Sequence, residues 1–193
     1  MAERLRIFVS ATNDLEADRA IIGRAMASLP VQIGAEIRRT PVDGAKYDDI
    51  YELIADVDRF YFLMGRDITA PAGAEWHLAW QLERSVLPLR HSDRLTPAAK
   101  EFMHRAKLAG WQPFRNSTEL ARIITLDLAR ILNHATNRYG LNLSELELLN
   151  LHADRIKRTI VSETKDPGGA EGGGVLLDIG HQEPMDGVAL DER

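Results

Sequence analysis

The sequence predicts an α/β domain built on a parallel sheet. Short apolar runs alternate with amphipathic stretches through the first 135 residues, and helix-initiating pairs stand between them. One run, Arg59-Phe60-Tyr61-Phe62-Leu63-Met64-Gly65, is almost continuously apolar, as a central strand covered on both faces must be.

Leu5 to Val9 reads as the first strand. Leu15, Arg19, Ile22 and Met26 follow at helical spacing, with Asn13 and Glu16 forming a capping box. Val31 to Ile37, after the breaker Pro30, reads as the second strand, and Tyr47 to Val57 as a helix with Ile50, Leu53, Ile54 and Val57 along one face. Strand three leads into a Gly/Pro loop, Gly65 to Gly73, and a helix from Ala74 to Arg84. Val86 to Arg90 reads as a fourth strand, in which Pro88 is acceptable only at an edge or near the strand start. Thr96-Pro97 opens a helix that runs to about Leu108 and stops at Gly110. Trp111 to Phe114 is a short fifth strand, and Asn116 with Glu119 caps a long helix carrying Leu120, Ile124, Leu128 and Ile131.

The organisation expected is an α/β domain over 1–135, a helical extension over 136–161 and a Gly-rich acidic disordered tail over 162–193. In the extension, Ser144 and Glu147 cap a helix whose Leu146, Leu149, Ala153, Ile156 and Ile160 form a heptad seam of about two heptads. A seam that short is expected to pack back onto the domain, with dimerisation as the alternative. The tail's apolar island, Val175-Leu176-Leu177-Asp178-Ile179, is either inert or a docking segment.

Composition narrows the chemistry. The chain contains no cysteine, which excludes disulfides, thiolate metal sites and cysteine nucleophiles. The net charge is −5, but residues 162–193 alone hold eight acids against Lys165 and Arg193, leaving 21 acids and 22 bases in residues 1–161. No basic field therefore favours nucleic acid. No run reaches the ~18 apolar residues of a membrane span, and no secretory leader is apparent, so a cytoplasmic location is expected. The six histidines lack metal-ligand spacing, and Gly-x-Ser-x-Gly, Gly-x-Gly-x-x-Gly after a strand and Walker A patterns are all absent.

An open parallel sheet binds ligands beyond the carboxyl ends of its strands, so the loops beginning at Ser10, Ile37, Gly65 and Arg90 are where a site belongs. The first offers Ser10, Thr12 and Asn13 at a helix N-terminus, suited to a phosphate or ribose oxygen and equally to capping. The third ends in Ala74-Glu75-Trp76-His77, which puts the Glu75 carboxylate in the first turn of the expected helix. There it is a candidate catalytic group or a complement to the helix dipole. Trp76 and Trp80 share a helix face, where they fill the core or stack on a base.

Arg6-Ile7-Phe8-Val9-Ser10-Ala11-Thr12, followed by Asp14-Leu15-Glu16-Ala17-Asp18-Arg19, resembles the opening of a bacterial TIR-like domain family of unknown function. Its members begin with a strand, Ser-Ser-Thr, then Asp-Leu and an acid-Arg pair. The resemblance continues in Asp56-Val57-Asp58, in Gly65 and in Glu75 with Ala79. Ala11 replaces the middle serine, and Arg66-Asp67 and Ala72-Gly73-Ala74 stand where the family carries Tyr-Gly and Ser-x-Thr.

The resemblance implies a flavodoxin-like three-layer sandwich with a parallel sheet of four to five strands, related to TIR domains and nucleoside deoxyribosyltransferases. Both include enzymes that cleave an N-glycosidic bond with a glutamate after strand three, the position of Glu75. It further implies NAD or a related nucleotide as substrate, held by Ser10, Thr12, Asn13, Gly65, Arg66 and Trp76, with no cofactor or metal required. The setting would be bacterial signalling or antiviral defence, with self-association or a separate sensor protein. The alternative is a non-catalytic module that binds a nucleotide or a protein through the same cleft.

Overall fold

Five strands pair in parallel in the order β2-β1-β3-β4-β5, so the chain runs outward on one side of β1 and then reverses to build the other side. The computed structural model describes residues 2–41, 43–91 and 94–165, the last six by their backbone alone. β1 is Leu5–Ala11, β2 Ala35–Arg38, β3 Arg59–Met64, β4 Val86–His91 and β5 Gln112–Phe114. The helices are α1 (Arg19–Ala27), α2 (Tyr47–Ala55), α3 (Ala70–Gln81), α4 (Pro97–Arg105), α5 (Ser117–Leu132) and α6 (Leu143–Lys165).

Strand alternation sends side chains to two separate cores. Leu5, Ile7, Val9, Tyr61, Leu63 and Leu89 pack with α1, α5 and α6. Phe8, Phe60, Phe62 and Met64 pack with α2, α3 and α4. The result is the three-layer flavodoxin-like sandwich, with all five expected strands in one sheet.

Several boundaries differ from the sequence reading. β1 continues through Ser10 and Ala11 because both pair with β3 opposite Phe62 and Leu63. β2 starts at Ala35 rather than Val31, since its partner begins only at Leu5. Val31 and Ile33 owe their apolar character to packing on the core outside the ladder. Asn13 and Glu16 form no capping box: Asn13–Asp18 is a 3-10 turn bent at Leu15, and α1 begins only at Arg19.

α3 begins four residues earlier than expected, at Ala70, and ends at Gln81. Pro71 sits in its first turn, where a missing N–H costs nothing and the fixed φ suits a helix. The left-handed Glu83, at φ 52°, follows the helix end. Pro88 is central in β4, yet β5 pairs only from Leu89 onward, so the strand is locally an edge there.

α6 is capped by Asn142 and Glu145 rather than by Ser144 and Glu147. Glu145 N–H donates to Asn142 Oδ1 at 2.9 Å and Asn142 N–H to Glu145 Oε2 at 2.8 Å. Its seam packs back onto the domain, with Leu149 and Ala153 buried in the α5 side of the core. The helix runs four residues into the segment expected as tail, and the rest of that tail, Val175 to Ile179 included, lies outside the described residues.

Candidate functional site

In this strand order the chain reverses between β1 and β3, and the crevice beyond their carboxyl ends is where a flavodoxin-like sheet binds its ligand. Two hydrogen-bonded knots shape it. Thr12 Oγ1 accepts from Gly65 N–H at 2.9 Å and donates to Asp14 Oδ1 at 2.6 Å, while Arg66 N–H donates to Asp14 Oδ2 at 2.7 Å. A Cβ added to Gly65 would stand 2.0 Å from the Asp14 carboxylate, so only glycine fits. Beyond it, Thr96 Oγ1 donates to Asp67 Oδ1 and accepts from Ala99 N–H, joining the β3–α3 loop to the cap of α4.

Glu75 lies in the second turn of α3, not the first, because the helix starts at Ala70. That removes it from the turn in which a carboxylate mainly serves the helix dipole. Its side chain is 2% exposed. Oε1 accepts a hydrogen bond from the Thr40 hydroxyl at 2.5 Å. Oε2 and the fully buried Ser10 hydroxyl lie beside one another, near enough for the hydroxyl to favour the ionised carboxylate, but neither makes an aligned hydrogen bond among the described residues. Burial pushes the Glu75 carboxyl above its ordinary range, while the Ser10 and Thr40 hydroxyls and the Arg19 charge pull it back.

Arg19 closes the end of β1, donating to the Val9 carbonyl at 2.7 Å and the Ala11 carbonyl at 3.3 Å. It also pairs with Glu16 at 2.8 Å. With Val9, Glu16, Ile37 and Arg39 it lines a cleft of about 400 Å³. A buried carboxylate with one oxygen loosely held, a hydroxyl beside it and two arginines at the adjoining rim can hold or stabilise positive charge on a ligand whose phosphates meet the arginines.

The structure brings Ser10 to Glu75 and leaves the other expected residues in different roles. Both hydrogen-bonding directions of Thr12 are occupied within the knot, and Gly65 is packed against Asp14. Arg66 contributes its backbone N–H there while its side chain is exposed, and Asn13 is exposed at the start of the 3-10 turn. Trp76 faces away from Glu75, into the α3–α4 core against Phe62, Phe102 and Trp111. Two residues escaped the sequence reading: Thr40, in the loop after β2, and Arg19. The acid-Arg pair that ends the first motif was the signal for Arg19; a single threonine past a short strand offered none.

No protein-family model matches the sequence, and no curated protein is similar to it. Among solved structures, a chain of the RPS4 and RRS1 TIR domain heterodimer superposes with a TM-score of 0.50 at 9% identity, covering 67% of this chain and 98% of that one. The fold is TIR-like. At such low identity the likeness concerns backbone alone; in this chain Glu75 meets Ser10 of β1 and Thr40 in the loop after β2, while Thr12, Asp14 and Gly65 join the ends of β1 and β3. Among the described residues no group of histidine and carboxylate side chains is placed to hold a metal ion. No helix among them is long and apolar enough to cross a membrane.

Proposed function

We propose that the protein is a TIR-like signalling domain that hydrolyses the N-glycosidic bond of NAD or a related nucleotide, with Glu75 as the catalytic residue. The observation that supports this most is the buried Glu75 carboxylate, whose Oε2 has only the unaligned Ser10 hydroxyl beside it. A buried carboxylate held so loosely costs stability, and buried carboxylates with perturbed ionisation are concentrated at functional sites.

In the reaction the C1′–N bond breaks and its electron pair leaves with nicotinamide. Positive charge then spreads over the ribose C1′ and ring oxygen, where the ionised Glu75 stabilises it. Water adds to C1′ and releases one proton. Ser10 would bind a ribose hydroxyl, and Arg19 and Arg39 the phosphates. Because the ionised carboxylate is the active form, the rate should rise with pH through the raised Glu75 ionisation.

The 2% exposure of Glu75 favours a second reading, a nucleotide-binding module without turnover, since a ligand reaches the carboxylate only if Thr40 gives way. Incubating the protein with NAD over a concentration series, with Glu75→Gln in parallel, separates the two. Nicotinamide release that disappears in Glu75→Gln supports the hydrolase. Binding of NAD without release under all conditions leaves the binding module.

A further inference from the structure

At the amino ends of the strands, the opposite end of the sheet from Glu75, lies a cavity of about 280 Å³ lined mainly by charged and polar groups. Asp58 and Arg59 reach it from the start of β3, Ser85 from the residue before β4, and Asp127 and Arg130 from the last turns of α5. His134, Arg138 and Tyr139 come from the loop that joins α5 to α6.

Its two carboxylates are already engaged. Asp127 accepts from Nε and Nη2 of Arg59 and from the Tyr61 hydroxyl, and Asp58 accepts from the Arg6 N–H at 2.8 Å and from Arg138 Nη2 at 3.0 Å. Donors are in surplus. The Arg130 guanidinium makes no hydrogen bond or ion pair among the described residues. Arg138 keeps Nη1 unused after Nε and Nη2 go to Glu3 and Asp58. His134 Nδ1 accepts from the Thr136 N–H at 3.3 Å, which leaves the ring proton on Nε2 without an acceptor. The Ser85 hydroxyl accepts from Arg59 Nη1 at 2.6 Å and has its own proton still to give.

Tyr139 is 5% exposed, and its hydroxyl makes no hydrogen bond among the described residues. A buried hydroxyl ordinarily has a partner, and here the cavity is where one can stand. Burial, with the Asp58 charge, pushes the Tyr139 ionisation up, so its O–H stays protonated and able to donate. Arg59, Arg130 and Arg138 outnumber Asp58 and Asp127 in the lining, and Glu3, which pairs with Arg138 at 2.7 Å, is not part of it. The carbonyls that end α5 favour a cation such as Arg130, but they call for neither the imidazole nor the hydroxyls that share the space. Unused donors under an excess of positive charge select an acceptor-rich anion, and a phosphate meets arginine with the geometry that suits it best.

We propose that this cavity binds a sugar phosphate, with the phosphate held by Arg130, Arg138 and His134 and the sugar hydroxyls by Tyr139 and Ser85. The exposed cations meet the charged end of the ligand, and the enclosed hydroxyl meets its neutral body. The site is independent of any role for Glu75, whose crevice lies at the other end of the sheet.

The test is calorimetric titration of the full chain with ribose 5-phosphate, inorganic phosphate and ribose. Ribose 5-phosphate should bind about tenfold more tightly than inorganic phosphate, ribose should give no measurable binding, and added salt should weaken both phosphates. Arg130→Gln with His134→Gln should weaken ribose 5-phosphate by about tenfold or more, since each charge-assisted hydrogen bond counts for that much. Tyr139→Phe, which removes only the unbonded hydroxyl, should weaken it severalfold with an unchanged melting temperature. Arg39→Gln, at the Glu75 crevice, should bind as the wild type does. Should the paired variant melt lower through the loss of cations at the end of α5, Tyr139→Phe decides alone. A wild type that binds neither phosphate would overturn the proposal. So would variants that bind ribose 5-phosphate like the wild type, a sugar phosphate that binds no more tightly than inorganic phosphate, or binding that is lost in Arg39→Gln.

Discussion

Glu75 shows how a single position can be costly to the fold and still be kept. Its carboxylate is enclosed by α3, the end of β1 and the loop carrying Thr40, and burial raises its ionisation above the ordinary 4.5. A group whose folded pKa is raised adds stability below its unfolded pKa, and that contribution is lost as pH rises through the folded value. At neutral pH the ionised Glu75 therefore destabilises the fold. Glu75→Gln keeps the shape, can still accept from Thr40 and can donate to Ser10 Oγ, so the variant should melt a few degrees higher at pH 7. The gain should shrink toward nothing below about pH 4.5, where Glu75 is itself neutral. Melting both proteins across that range checks it, and a variant that melts lower at pH 7 would contradict the burial cost.

At the scale of the element, α6 makes the sharpest comparison, since its two sides carry the same residue type in different surroundings. Leu149 is fully buried against the core shared with α5, whereas Leu151, two residues on, is 54% exposed. Leu149→Ala removes buried methyl groups and leaves a cavity, costing about 2–5 kcal/mol. Leu151→Ala should change stability by no more than about 0.5 kcal/mol. Denaturant titrations of the two variants measure the difference. Elements of this kind were legible wherever a local device was at work: Thr96 accepts from Ala99 N–H, Asn116 from Glu119 N–H, and Gly110 ends its turn at φ 73°. They were misread where a local signal had two meanings. Pro71 reads as loop but opens α3, and Asn13 reads as a cap although Asp14 is drawn to Thr12 and the Arg66 amide.

Across the whole molecule, one buried polar cluster ties the sheet to its helical layer. Arg59 at the start of β3 donates from Nε and Nη2 to both oxygens of Asp127 on α5, at 2.8 and 2.6 Å, and from Nη1 to Ser85 Oγ. The buried Tyr61 hydroxyl donates to Asp127 Oδ2 at 2.9 Å, and burial holds its pKa well above 10.0. Both charged partners are largely enclosed, at 13% and 9% side-chain exposure. Asp127→Ala leaves Arg59 buried without a counter-charge and Tyr61 without an acceptor, which should cost about 3–5 kcal/mol. Thermal or chemical unfolding reads that loss directly, and a cost below about 1 kcal/mol would show that water replaces the carboxylate.

The sequence by itself determined the α/β class, the five parallel strands, the long amphipathic helices and Glu75 as the residue to watch. The elements follow from hydrophobic periodicity, caps and breakers, which act over a few neighbouring residues; Glu75 follows from its place after the third strand and from the resemblance to the TIR-like family. Tertiary structure decided what surrounds Glu75: that Thr40 and Ser10 meet it while Trp76 turns into the aromatic core, and that Thr12 and Gly65 are taken up by the knot with Asp14. Thr40 and Glu75 are 35 residues apart in the chain, as are no motif partners, and their contact exists only because β2 and α3 are brought to the same end of the sheet. Burial, and with it the raised ionisation and the loosely held carboxylate oxygen, is a property of that packing and has no counterpart in local sequence.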